Sequence, residues 1–126
     1  MAPARILVVD DNDAIRSVVS RMLSGLGYEV ASADNGESGL NVFLKHNFDI
    51  VLSDYEMPGM DGVALACRIK QYSPGVAVVI MTGSGKEDMI IGKISAVDVV
   101  IAKPFSMDEL DGTLRNLHGK VFRAYP

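Results

Sequence analysis

A chain of 126 residues has room for one domain built around a hydrophobic core, and 48% hydrophobic with 22% charged residues describes a soluble globular protein. The net charge of −4 excludes the basic surface that direct nucleic-acid binding or a polybasic membrane contact requires. The single cysteine, Cys67, excludes an intramolecular disulfide and a multi-cysteine metal site. Such cysteine usage fits a reducing cytoplasm, and the apolar surroundings of Cys67 predict a small core residue.

The first apolar run, Ile6–Val9, is β-branched and short, suited to a strand buried on both faces. It ends in Asp10-Asp11, so it is no signal peptide, and no later stretch approaches the ~20 apolar residues needed to span a bilayer. Ile15, Val18, Val19, Met22 and Leu26 then recur at the spacing of one helix face, and Gly25 or Gly27 ends that helix. Tyr28–Ala33 alternates and reads as a strand at the sheet edge. Asn35 caps a second helix with Leu40, Phe43 and Leu44 inward. The third strand, Phe48–Ser53, runs into Asp54, and Asp61 caps a third helix with Leu65 and Ile69 inward. Val76–Met81 is the fourth strand. Ser84 with Glu87, and Ser106 with Glu109, match the capping box that opens a helix. Val97–Ala102 between them is the fifth strand. The last helix carries Met107, Leu110, Leu114 and Leu117 on one face, and Gly119 can close it.

Five successive βα units with short connections predict a parallel sheet with helices on both faces, a three-layer α/β/α sandwich. The whole of 1–126 reads as a single domain, with a core of about 5–118 and a short tail from Gly119 to Pro126.

In an open parallel sheet, ligands bind where the strands end at their carboxyl edge. The first strand ends in Asp10-Asp11, the third in Asp54, the fourth in Thr82 and the fifth in Lys103-Pro104. Asp34-Asn35, after the second strand, is assigned to helix capping. Each of these residues alone is compatible with a turn, a cap or a solvated charge. Together, three carboxylates at one edge demand a positive charge among them, and hard oxygen donors suit Mg²⁺, with Mn²⁺ as an alternative. A lysine and a hydroxyl flanking that point provide a compact charge and a hydrogen-bond donor for phosphoryl oxygens. Asp54 is the candidate nucleophile, since a carboxylate accepts a phosphoryl group as an acyl phosphate.

The segments ILVVDDN (6–12), DIVLSDYEMPGMDG (49–62), VVIMTG (78–83) and AKPF (102–105) resemble the receiver domain of bacterial response regulators, across Arg5 to about Leu117. That resemblance implies a flavodoxin-like (βα)5 fold with a five-stranded sheet of order 2-1-3-4-5 and a cis Lys103-Pro104 peptide. It implies phosphorylation of Asp54 by a sensor histidine kinase or a histidine phosphotransfer protein. Mg²⁺ would be held by Asp10, Asp11, Asp54 and the backbone carbonyl of Glu56, with Thr82 and Lys103 on the phosphoryl group. The implied role is that of a cytoplasmic signalling domain rather than an enzyme acting on a separate substrate, with self-catalysed phosphorylation and dephosphorylation only. Its conformational change would control a downstream protein or a covalently linked output domain, with no direct contact to nucleic acid or membrane.

Three features depart from the family pattern. Position 100, three before Lys103, is valine where the family carries an aromatic ring that rotates as the threonine moves inward. The readout is therefore expected to rely on the loop after Thr82 and the helix that follows. That helix contains Gly92 and the cluster Met89-Ile90-Ile91, readable as core packing with one exposed residue or as a partner surface. Glu56 adds a carboxylate beside the site, readable as a solvent-facing loop residue or as a contact to the metal or its water.

Other functions fit less well. A flavin phosphate would be repelled by Asp10-Asp11-Asn12-Asp13, and a purified protein without colour discriminates. An aspartate-nucleophile phosphohydrolase places its nucleophile after the first strand with a second aspartate two residues on, and turnover of a phosphate ester discriminates. An adaptor that keeps the fold without depending on phosphorylation is favoured by Val100 and Glu56; phosphate uptake on Asp54 discriminates.

Overall fold

The computed structural model describes residues 3–83, 90 and 94–121, with side chains through 117. In chain order it contains β1 (Arg5–Val9), α1 (Asp13–Gly25), β2 (Glu29–Ala33), α2 (Gly36–Lys45), β3 (Ile50–Asp54), α3 (Gly62–Tyr72), β4 (Ala77–Thr82), β5 (Val99–Ala102) and α4 (Met107–Val121). The strands are all parallel and lie in the order β2-β1-β3-β4-β5, as expected.

Alternation along the buried strands divides the apolar side chains into two layers. Leu7 and Val9, Val51, and Val78 and Ile80 pack with Leu40 and Phe43 of α2 and Leu65, Ala66 and Ile69 of α3. Ile6 and Val8, Ile50 and Leu52, and Val79 and Met81 pack with Val19 and Leu23 of α1 and Leu110, Leu114 and Leu117 of α4. A sheet covered on both faces explains why these strands are continuously apolar rather than alternating.

Asn35, Asp61 and Ser106 cap their helices as read from sequence, and Asn12, for which no cap was read, does the same for α1. The side chains of Asn12, Asn35 and Asp61 accept hydrogen bonds from the backbone N–H of Ile15, Ser38 and Ala64 at 3.0, 2.7 and 2.8 Å. At α4, the Glu109 N–H donates to Ser106 Oγ at 3.0 Å and the Ser106 N–H to Glu109 Oε1 at 3.3 Å, closing the predicted capping box. Gly27, at φ +97, supplies the left-handed residue that stops α1.

Several expectations are corrected. Cys67 is exposed on α3, because Leu65, Ala66 and Ile69 occupy the inward stripe and position 67 falls outside it. Val18, Leu44 and Met107 are exposed as well, while Leu23, absent from the predicted face, is fully buried one turn beyond Val19. Val18 instead helps line a shallow apolar groove of about 320 Å³ with Ile15, Met22, Pro104 and Phe105. Gly119 does not end the last helix, which continues to Val121. The predicted helix opened by Ser84 and Glu87, with Met89, Ile91 and Gly92, lies outside the described residues; Ile90 is buried among the α2 and α3 side chains.

Candidate functional site

Parallel pairing brings the carboxyl ends of β1, β3, β4 and β5 to one edge of the sheet. Val9 stands beside Ser53, Asp54 beside Met81, and Thr82 beside Ala102, so the residues that follow or close these strands share a single rim. Asp10, Asp11, Asp54, Thr82 and Lys103 all lie there, as expected of an α/β crevice.

Carboxylate oxygens of Asp10, Asp11 and Asp54 lie within 4.8 Å of one another. Asp10 is fully buried and Asp54 nearly so, while Asp11 is exposed and leaves the cluster open on one side. Lys103 reaches in from the end of β5, past a cis peptide to Pro104, with its Nζ 3.0 Å from Asp54 Oδ1 and 3.7 Å from Asp10 Oδ2. Thr82 is buried at the end of β4, and its hydroxyl donates only a long 3.3 Å bond to the carbonyl of Gly83. Glu56 lies two residues past Asp54 in the loop before α3, with an exposed side chain that borders a hollow with Tyr55, Met57, Pro58 and Asp61.

Carboxylates outnumber the cation described in this cluster, Lys103. Asp10 Oδ1 accepts the Asn12 N–H at 2.9 Å, but Oδ2 is buried without a hydrogen-bond partner. Burial raises the Asp10 carboxyl above its ordinary 3.8; the Asn12 N–H lowers it, the Asp54 charge raises it, Lys103 lowers it and Asp11 raises it. Among the described residues, Lys103 pairs with Asp54 and Asp10 in a cluster of three carboxylates. A buried carboxylate oxygen without a hydrogen-bond partner, among hard donors, is a group that a divalent cation would satisfy, so the residues present fit such an ion.

Two residues beyond those read from the sequence shape the site. Ser53, fully buried, donates its hydroxyl to the Asp54 carbonyl at 3.0 Å; a lone serine in an apolar strand was its signal. Arg16 donates from Nη1 to the Asp10 carbonyl at 2.8 Å and from Nη2 to Asp13 at 2.5 Å. Its three-residue spacing from Asp13 was visible, but the contact with Asp10 depends on how α1 folds back over the end of β1.

Comparison with known proteins agrees with this geometry. The family described as "Response regulator receiver domain" matches residues 6–115. Sporulation initiation phosphotransferase F of Bacillus subtilis (strain 168) is 37% identical over 111 residues, covering 87% of this chain and 90% of that protein. The probable transcriptional regulator ycf27 of Porphyridium aerugineum is 33% identical over 124 residues, 98% of this chain, which spans about half (52%) of that protein's length. Among solved structures, the response regulator TrrA of Thermotoga maritima in complex with Mg(2+)-BeF superposes with a TM-score of 0.81 at 34% identity, covering 90% of this chain and 98% of that one. With a matched family model over most of its length, the expected sheet order and an acidic cluster at the expected edge, the chain belongs to the response regulator receiver domain family of two-component signalling.

Proposed function

We propose that Asp54 accepts a phosphoryl group from a phosphohistidine of a sensor kinase or phosphotransfer protein, in a reaction that requires Mg²⁺. Asp10, Asp11 and Asp54, with the backbone carbonyl of Glu56, would hold the ion, for which Mn²⁺ can substitute. The observation that carries this reading is the pairing of Lys103 Nζ with Asp54 Oδ1 at 3.0 Å beside the buried Asp10 Oδ2, which has no hydrogen-bond partner and only a 3.7 Å approach from Lys103. The acceptor is thus held by one cation in a pocket whose charge calls for a second.

Asp54 Oδ attacks phosphorus, the O–P bond forms, and the N–P bond to the donor imidazole breaks with its electron pair returning to the ring nitrogen. Lys103 orients the acceptor and then pairs with a phosphoryl oxygen, while the Thr82 hydroxyl exchanges its long bond to Gly83 for a better acceptor on the phosphoryl group. Held by these carboxylates, Mg²⁺ would supply positive charge that offsets that of the transferring group and of the carboxylates. Phosphorylation and hydrolysis both run on the domain's own residues, so the chain works as a switch rather than on a separate substrate.

The reading extends to a cytoplasmic domain, with core about 5–118, that controls a downstream protein or a linked output domain. Val100 lies partly buried against the α2 and α3 side chains and is paired with Ile80. Lacking a ring, it leaves the readout to the segment after Thr82, which lies outside the described residues.

Incubation with Mg²⁺ and acetyl phosphate, followed by intact mass measurement, tests the proposal. A single added phosphoryl group is expected, absent without Mg²⁺ and absent in Asp54→Ala. Wild-type protein that stays unmodified, or a variant that is modified equally, rejects it.

A further inference from the structure

The Asp10–Asp11 pair needs more than its own side chains to present two carboxylates to one ion. Asp10 N–H still belongs to the sheet, donating to the Ala33 carbonyl of β2 at 3.2 Å. The next peptide group, which joins the Asp10 carbonyl to the Asp11 N–H, is planar and therefore turns as one unit. Its orientation sets the direction in which the Asp11 side chain leaves relative to that of Asp10. This peptide has left the β-ladder, and it is Arg16 Nη1 that holds its carbonyl, at 2.8 Å.

Arg16 is itself fixed. Its backbone N–H donates to the Asn12 carbonyl at 2.9 Å in the first turn of α1, and its Nη2 pairs with Asp13. The side chain is 20% exposed, whereas that of Asp13 is 86% exposed, so the guanidinium lies between the protein and an outer anchor. The partition of its donors matters. An arginine that paired with the Asp10 carboxylate would fill the place of the cation; this one grips the carbonyl, gives its charge to Asp13, and leaves Asp10 Oδ2 without a hydrogen-bond partner. The planar fork allows both contacts at once, which the single ammonium of lysine cannot reproduce.

We infer that Arg16 is a positioning residue that fixes the Asp10–Asp11 peptide and thereby prepares the two carboxylates for a divalent cation. The inference rests on the proposed Mg²⁺ role of that pair. It assigns to Arg16 an effect on ion affinity that a purely stabilising contact would not have, because residues behind metal ligands typically change affinity by about 10–100-fold when removed.

Mg²⁺ titrated into the unphosphorylated protein by isothermal calorimetry, alongside circular dichroism to establish folding, provides the test. Arg16→Ala is expected to weaken the Kd about tenfold or more. Arg16→Met keeps the apolar stem and decides the matter should the alanine variant fail to fold. Arg16→Lys, which keeps one charged donor for the carbonyl, is expected to recover part of the loss. A folded Arg16→Met protein with lowered melting temperature and wild-type Kd overturns the inference, as does a lysine variant that binds more weakly than the methionine one. Wild-type protein that takes up no Mg²⁺ overturns the functional reading and this inference with it; normal wild-type uptake with an unaffected Arg16→Met overturns the inference alone.

Discussion

Asp10 is held in the fold at a cost. Its carboxylate is fully buried, one oxygen lacks a hydrogen-bond partner, and two further carboxylates stand close by. A buried polar atom left unsatisfied costs about 1–3 kcal/mol. Asp10→Asn removes the charge and gives that position an amide donor, so in the absence of divalent ions this variant is expected to be more stable by about that amount in urea denaturation. On the proposed Mg²⁺ role, it should also lose the stabilisation that added Mg²⁺ is expected to give the wild type. The pH dependence has a definite sign. Burial holds the folded-state carboxyl above 3.8, so the unfolded chain releases this proton first. The contribution of Asp10 to stability is therefore present below about pH 3.8 and is lost as pH rises through the higher folded-state value. In Asp10→Asn that loss should be missing from a metal-free pH series. The carboxylates, Thr82 and Lys103 were all legible in the sequence because each ends a strand. Which oxygen would be stranded was not, since that depends on three segments meeting.

At the scale of elements, the start of α3 is pressed against the end of β3. A Cβ on Gly62 would lie 2.3 Å from the Asp54 carbonyl oxygen and 3.1 Å from Ile80 Cδ1, and the Gly62 N–H donates to the Tyr55 carbonyl at 3.0 Å. Helix and Asp54 therefore share one backbone contact with no room for a methyl group. Gly62→Ala should force the Asp54 peptide or the helix start to shift, at about 1–3 kcal/mol in chemical denaturation. Phosphoryl uptake from acetyl phosphate should slow in the same variant, because Asp54, the proposed acceptor, moves with its peptide. Sequence placed the α3 cap correctly at Asp61, since capping is a local rule. It misassigned Val18, Leu44, Met107 and Cys67, because spacing names a stripe but the neighbouring elements decide how wide a stripe is covered. Gly119 likewise failed as a stop, since a glycine is tolerated inside a helix at about 1 kcal/mol.

At the scale of the whole molecule, the sheet separates two apolar layers among the described residues. Ile69 lies in the layer under α2 and α3, and Ile101 in the layer under α1 and α4. Ile69→Val and Ile101→Val should each cost about 0.5–1.5 kcal/mol. The double variant should match their sum within about 0.5 kcal/mol; a larger discrepancy in urea denaturation would show that the layers are coupled. The sequence by itself determined the βα alternation of the described elements, the sheet's burial on both faces and the residue types at each strand end, because periodicity and strand-end position are local properties of the chain. Tertiary structure alone decided that Lys103 pairs with Asp54 more closely than with Asp10, that Ser53 and Arg16 hold the carbonyls behind the carboxylates, and that Cys67 faces outward. These are matters of ångströms between segments distant in sequence, and they are fixed only when the two layers pack and bring the strand ends to one rim.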